Sequence, residues 1–372
     1  MAGPHPTVAA ARRELRLLLK DAGVAPGSRL LLACSGGSDS MALTQAALFV
    51  GSRDGYVVDA LIVDHGLREE SAREAQHVRE QLRELGARTV DVVRVTLDAG
   101  GGPEAEARSA RYGALARAAH GNSPAATASM NEPSRITGCG EAGEVSDVSS
   151  SSKRSAVVLL GHTADDQAET VLLGLARGSG ARSIRGMAAR AGLPEHPEVT
   201  ALRPLLNFRR EDLREGLRSA GISWVEDPTN DPGSHWRAQD GSPLRRSALR
   251  HHAIPALEED LGPGVVESLA RTARLLQADE EAMELWTRRE FARIVDTESL
   301  SVSIGELREL PRAIRTRVLR ELALRAGARA GELVGWHVDH LDELVTGPGG
   351  RRGIDLPGVR GEQRAGRIHF AR

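Results

Sequence analysis

Six residues, Ser35-Gly36-Gly37-Ser38-Asp39-Ser40, follow directly on the short apolar stretch Arg29–Cys34 and lead directly into a helix-forming stretch, Asp39–Val50. The apolar stretch is bounded by turn formers and reads as a buried strand. A strand, a glycine turn and a helix in that order build a cradle for an anion. Glycine lets the backbone turn tightly and approach closely, successive N–H groups converge, and the helix N-terminus adds partial positive charge. Ser35, Ser38 and Ser40 supply hydroxyl donors. Asp39 is out of place beside phosphate unless it holds a metal ion, and Mg2+ favours a carboxylate combined with phosphate oxygens. No lysine follows the glycines, so the loop is not of the Walker type. A plain Ser/Gly turn with Ser38 or Asp39 as N-cap explains part of this; the full hexapeptide between strand and helix favours nucleotide binding.

Around this loop the pattern alternates. Val8–Lys20 has helical spacing, and strands are predicted at Val57–Val63, Thr89–Leu97 and Ala156–Leu160. Helices are predicted between and after them at Ser71–Leu85, Glu104–His120 and Asp165–Ala176. This alternation implies an α/β fold, a doubly wound parallel sheet covered on both faces. Residues 121–155, rich in Ser, Gly, Ala and Glu, break the pattern and read as a flexible insertion holding Cys139. Beyond a helix at Arg209–Ala220, segments 247–292, 311–326 and 333–345 look helical, and Gly347–Arg372 reads as a short β-hairpin-like finish. The composition shift near 205–245 suggests a catalytic domain over 1–215 and a smaller, mostly helical domain over 216–372.

The net charge of -2 excludes a general polycation, so a nucleic-acid partner needs a local basic surface. Lysine occurs only at Lys20 and Lys153, and arginine carries nearly all the positive charge. Arg209, Arg210, Arg214 and the tail arginines Arg351, Arg352, Arg360, Arg364 and Arg367 are candidates for such a surface. Cys34 and Cys139 form no CxxC pair, which argues against a zinc ribbon, an iron–sulfur cluster or a disulfide framework. Met1–Ala10 lacks the apolar run of a signal peptide, and no stretch is apolar enough to span a bilayer. A cytoplasmic protein with no membrane partner is expected.

Three more segments carry chemistry. Val63-Asp64-His65-Gly66-Leu67-Arg68 lies at the carboxyl end of the second strand, where an open parallel sheet binds ligands. Glu104-Ala105-Glu106-Ala107-Arg108 precedes Arg111-Tyr112, and the four-residue spacing of Glu104 and Arg108 suits a surface ion pair. His162-Thr163-Ala164-Asp165-Asp166-Gln167-Ala168-Glu169-Thr170 again follows a strand and opens a helix. Its acids complement a helix dipole, but two carboxylates, a His and a Glu one turn on also suit a metal ion and a cationic amine.

The hexapeptide matches SGGxDS, the signature of the PP-loop ATP-pyrophosphatase superfamily, at each fixed position. The three further segments resemble those of tRNA(Ile)-lysidine synthases, as do Arg203-Pro204-Leu205-Leu206, Glu226-Asp227-Pro228-Thr229-Asn230 and Arg246-Ser247-Ala248-Leu249-Arg250. The resemblance covers most of 29–285. It implies ATP and Mg2+ as cofactors, L-lysine and an isoleucine tRNA with a CAU anticodon as partners, and lysidine, AMP and pyrophosphate as products. ATP would lie on Ser35–Ser40 with Asp64 and His65 nearby, and Mg2+ on Asp39 with Asp165. His162, Asp166 and Glu169 would bind the lysine ammonium or take its proton, in an order the sequence leaves open. Arg108, Arg111, Arg203, Asn230, Arg246 and Arg250 would meet substrate. Departures are Ser247 where the family often has Asn, a long loop that leaves Arg237 and Arg246 competing for one role, and the insertion. A tRNA thiolation enzyme and a non-catalytic ATP-sensing module are the alternatives. The oligomeric state, a homodimer included, stays open.

Overall fold

A computed structural model describes residues 3–66, 70–95, 103–121, 155–178, 180–226, 244–347 and 353–371. By internal contacts it divides into one unit of Met1–Leu173 with Gly186–Ala273, and a second of Gly174–Arg185 with Arg274–Arg372. The expected boundary at 215/216 therefore falls inside the first unit, and the division lies near residue 273.

The first unit runs α1 (Pro6–Asp21), β1 (Arg29–Ala33), α2 (Ser38–Asp54), β2 (Val57–Asp64), α3 (Ser71–Glu84), β3 (Val90–Arg94), α4 (Pro103–Ala119), β4 (Val157–Leu160) and α5 (Ala164–Arg177). After the short α6 (Ala181–Ile184), which groups with the second unit, come β5 (Arg190–Leu193), β6 (His196–Leu202) and α7 (Arg210–Ser219). Next are α8 (Arg245–Ala248), a π-helical turn at Leu249–Ala253, α9 (Ile254–Leu261) and the start of α10 (Val265–Ile294), which belongs to the second unit from Arg274 on. The sheet order is β3-β2-β1-β4-β6-β5, parallel except for the β5 edge. The β5–β6 hairpin has no counterpart in the sequence expectations. Its strands carry Pro197 and Gly192, both unfavourable for strands.

Why β1 forms a central strand is visible in its burial. Leu30 and Leu32 point into a core with Leu15, Leu19, Met41 and Leu217, while Leu31 points into another with Tyr112, Leu115 and Val158. Alternate side chains face opposite ways, so a continuous apolar run is buried on both sides. α1, α2, α3 and α7 supply the first core and α4 the second. β1 has β2 on one side and β4 on the other, so the chain winds outward in two directions from it. That reversal opens a crevice at the carboxyl ends of β1 and β4.

The insertion lies outside the described residues apart from its ends. Ala156 N–H donates to the Ala119 carbonyl at 2.9 Å, so the stretch leaves and returns at one place.

In the second unit, β7 (Val295–Asp296), β8 (Ser301–Ser303), β9 (Gly353–Leu356), β10 (Val359–Arg364) and β11 (Arg367–Ala371) form an antiparallel sheet in the order β7-β8-β11-β10-β9. The expected hairpin is thus part of a larger sheet, recruited from strands too short to show a period in sequence. With α11 (Ile304–Glu309), α12 (Arg312–Arg325) and α13 (Gly335–Thr346) it closes over Val302, Leu307, Val318, Leu341 and Ile368. Buried Arg315 pairs with buried Asp342 through two bonds, of 2.5 and 3.2 Å.

Candidate active site

The loop after β1 and the loop after β4 meet in the crevice. A Cβ on Gly161 would lie 3.0 Å from the Asp39 carbonyl oxygen, so only glycine lets the two backbones come this close. Gly36 adopts φ +82°, and a Cβ there would strike Val78 at 2.5 Å. The turn aims the start of α2 into the crevice, and no side chain caps that start. Its first N–H groups therefore have no partner within the helix and are available to an anion. The Ser40 hydroxyl is spent within the loop, donating to the Gly37 carbonyl at 2.9 Å and accepting the Ser35 N–H at 3.3 Å. The Ser38 hydroxyl accepts Arg214 Nε–H at 3.3 Å.

Arg210, the first residue of α7, sits between the two loops. Its Nε donates to Asp39 Oδ2 at 2.8 Å and its Nη2 to Asp166 Oδ1 at 3.3 Å. It was expected on a basic surface; the structure gives it a largely buried place at the centre of the site. Nothing in the local sequence distinguishes it from Arg209, because its role depends on how α7 packs against α2. Burial raises the Asp39 carboxyl above its ordinary range; Arg210 opposes that shift, and Asp166 and Asp165 add to it.

The acids of α5 divide in role. Asp166 Oδ2 accepts the Thr163 N–H at 2.8 Å and its hydroxyl at 2.9 Å, which caps the helix. Burial alone would raise the Asp166 carboxyl, but Arg210, His162 and Thr163 outweigh it and hold it low. Asp165 Oδ2 accepts the Arg210 N–H at 2.8 Å, and Oδ1 lies 3.4 Å from Arg209 Nε. Glu169 is fully buried. Arg250 Nε and Nη2 reach its Oε1 at 2.8 and 2.7 Å, and Arg246 Nη1 reaches Oε2 at 3.2 Å. Burial raises its carboxyl, with Arg250 opposing.

His162 leaves β4 beside these acids. Burial lowers its imidazole to about 3, with Asp166 opposing and Arg203, Arg111 and Arg246 reinforcing, so it is neutral at physiological pH. Its Nδ1 is buried without a hydrogen-bond partner. Arg203 follows β6, the neighbour of β4, and Arg108 and Arg111 flank the buried ring of Tyr112 on α4. At the end of β2, Asp64 is buried and accepts the Gly66 N–H at 2.9 Å, which shapes the turn that carries His65. Asn230 and Arg237 lie outside the described residues, as does the side chain of Glu104.

Comparison with known proteins is decisive. The chain is 43% identical over 370 residues to a tRNA(Ile)-lysidine synthase of Thermobifida fusca, covering 99% of this chain and 98% of that one. This chain belongs to the tRNA(Ile)-lysidine synthase family. A second lysidine synthase, from Streptomyces coelicolor, is 40% identical and is matched over 98% of both chains. A PP-loop domain model matches residues 7–131 and 148–257, and a TilS substrate binding domain model matches 303–368. Among solved structures, a U34-tRNA thiolase of Methanococcus maripaludis superposes with a TM-score of 0.51 at 16% identity, covering 73% of this chain and 80% of that one. That likeness is one of fold.

Lysidine synthases of the PP-loop type use ATP, and the uncapped start of α2 beyond Gly36 fits its phosphates. Mg2+ requires oxygen ligands and often binds through one or two carboxylates together with phosphates. Asp39 offers a carboxylate at the mouth of the phosphate loop, its Oδ2 accepting from Arg210 and its Oδ1 lying 3.3 Å from the Ser38 hydroxyl. Asp165 is engaged in the same way, by the Arg210 N–H and by Arg209. Among the described residues no three His, Cys, Asp or Glu side chains form a metal cage. Cys34 points away from thiol chemistry: it is buried, and burial pushes its thiol up despite bonds with Ser40, Gly36 and Thr44. No helix among the described residues is long and apolar enough to cross a membrane.

Proposed function

We propose that the protein joins the ε-amine of L-lysine to C2 of the wobble cytidine in an isoleucine tRNA with a CAU anticodon, in the cytoplasm. The observation that carries this reading is Arg210, which ties Asp39 of the phosphate loop to Asp166 of the acidic helix start. A nucleotide-phosphate site and an amine site thereby share one crevice.

The target base leaves the anticodon stack to enter the crevice. Its C2 carbonyl oxygen attacks the α-phosphate of ATP, an O–P bond forms, and the bond to pyrophosphate breaks. The N–H groups of the loop and the Arg210 guanidinium stabilise the charge that builds on the phosphates. Mg2+ held by Asp39 would neutralise further phosphate charge there. The lysine amine then attacks C2, the C2–N bond forms, and the C2–O bond to AMP breaks.

The environments of the three candidate groups rank them. Asp166, held ionised by its cations, anchors the ammonium. Glu169, raised by burial, is the group best matched to take the amine proton. Neutral His162 accepts a hydrogen bond but holds a proton poorly. Arg246 and Arg250 balance Glu169 until the ammonium arrives. The TilS-type segment 303–368 and the arginines of α8 and its π turn are the parts assigned to tRNA.

The test is transfer of labelled lysine into an unmodified CAU transcript with ATP and Mg2+, with AMP measured in parallel. Label in the tRNA, lost in Asp39→Ala, supports the reading. AMP release without label in the tRNA would replace lysine by another nucleophile, and no ATP turnover would overturn the enzyme assignment.

A further inference from the structure

Most of the arginines in the crevice are matched by acids. Arg210 pairs with Asp39 and Asp166, Arg209 with Asp165, and Arg246 and Arg250 with Glu169. Beside His162 three more are not. Arg203 is only 5% exposed; its Nη1 donates to the Ala188 carbonyl at 2.9 Å, and its buried Nε has no partner. Arg111 makes one bond of 3.3 Å to the Tyr112 hydroxyl, and its buried Nε is also unpartnered. Arg108, a turn earlier, lies with its guanidinium carbon 5.2 Å from the Tyr112 ring centroid, against 5.1 Å for Arg111. Among the described residues none of the three forms an ion pair with a carboxylate. A guanidinium buried without a counter-charge is costly, and a fold keeps it where a ligand supplies the anion.

The geometry points to an anion pocket that takes the α-carboxylate of the free amino-acid substrate. Arg203 forms its floor, Arg111 its wall and exposed Arg108 its mouth. This assignment rests on the reading of the protein as a lysine-transferring enzyme and adds how lysine is told from other amines. β4 and β6 pair with Leu159 opposite Leu202, so His162 and Arg203 emerge from adjacent strand ends. The acids that suit an ammonium and the unpaired cations that suit a carboxylate thus lie in one crevice around a neutral imidazole. A molecule carrying both charges on a flexible chain fits that arrangement. A phosphodiester within folded RNA is bulky and meets exposed arginines, whereas Arg203 and the Nε of Arg111 are buried. The planar fork of arginine suits a carboxylate in two-point contact.

The experiment compares L-lysine with 1,5-diaminopentane, which is lysine without its carboxylate, as acceptor amines for transfer to the CAU transcript. The full-length wild type should favour lysine by about 100-fold in kcat/KM, the scale of losing a charge-assisted contact to a buried partner. Arg111→Gln should reduce that preference by about 10-fold or more, chiefly through KM for lysine. Arg203→Lys, which keeps the buried charge but shortens the fork, should reduce it in the same direction if Arg111→Gln proves unstable. Equal use of the two amines by the wild type would overturn the pocket. So would a variant in which both amines suffer equally, or in which only the KM for tRNA rises, since that outcome assigns the arginines to phosphate. A wild type that turns over ATP but moves neither amine refutes the functional reading itself, and the carboxylate assignment falls with it. That result is distinct from transfer without discrimination, which refutes the pocket alone.

Discussion

Arg210 Nε lies 2.8 Å from Asp39 Oδ2, a bond that spans 171 residues of chain and joins the first turn of α7 to the first turn of α2. The same guanidinium reaches Asp166, so one cation separates two carboxylates that would otherwise repel each other in a buried place. Removing one partner of such a buried pair costs about 3–5 kcal/mol. Arg210→Gln is therefore expected to lower the melting temperature and to abolish AMP release. Arg210→Lys should recover more stability than activity, because an ammonium neutralises charge but cannot bridge both acids with a planar fork. Thermal melts beside AMP assays check this, and a stable, active Arg210→Gln would show that the bridge is dispensable.

Gly36 combines a left-handed φ of +82° with a space that Val78 already fills. Gly23 has a similar φ of +69° with nothing within 4 Å of a would-be Cβ. Gly23→Ala isolates the backbone term, about 1–2 kcal/mol. Gly36→Ala adds a steric clash that must shift the loop or α3, so ATP affinity should fall far more than in Gly23→Ala. Measured ATP binding in the two variants, each with its unfolding curve, separates a displaced phosphate loop from simple strain.

Glu169 is held by Arg246 and Arg250 and is proposed to take the proton of the lysine amine. Glu169→Gln preserves its shape and removes its charge. The kcat for lysine transfer should fall roughly 100-fold or more, the worth of a general base, with a much smaller rise in KM for ATP. A rise confined to ATP would move Glu169 to the nucleotide side of the crevice.

Much of this site was legible because its parts are local. Ser35–Ser40 and His162–Glu169 each sit directly after an apolar strand, and the alternation of elements placed both at carboxyl ends of one parallel sheet. That β1 and β4 are neighbours, so that Gly161 touches Asp39, is a matter of strand order that no local pattern encodes. Arg210 was misplaced for the same reason. An arginine at a helix start looks alike whether it meets solvent or two carboxylates from distant elements. The second unit was harder to read, since β7 and β8 contribute only two and three residues each and their pairing depends on β11, more than sixty residues on.

That unit offers a separate test. Arg315 and Asp342 are buried together, Arg315 also donating to the Leu310 carbonyl at 3.0 Å. Asp342→Ala leaves the guanidinium without its acid and should destabilise the second unit by about 3–5 kcal/mol. Amide exchange should then show loss of protection across α12 and α13 before α2 or α5. Uniform loss across the chain would instead mean that the two units unfold as one.

His162 gives a pH dependence whose sign can be worked out. Its imidazole titrates near 6.5 in an unfolded chain and at about 3 in the fold, lowered first by burial and then by Arg203, Arg111 and Arg246 against the pull of Asp166. As pH falls through 6.5 the unfolded chain takes up a proton that the folded chain refuses until about 3. Stability from His162 is thus complete above 6.5 and drains across that window, at up to about 1.4 kcal/mol per pH unit. His162→Gln removes this dependence. The stability gap between wild type and His162→Gln, measured by urea unfolding, should therefore shift against the wild type between pH 7.5 and 4.5. The carboxylates other than Asp166, which His162 helps to hold low, titrate alike in both proteins and cancel in the difference. A gap that stays constant with pH would mean that the fold leaves the imidazole at its unfolded value, with Asp166 balancing burial and the three arginines, and a gap that moves in favour of the wild type would mean that Asp166 outweighs them.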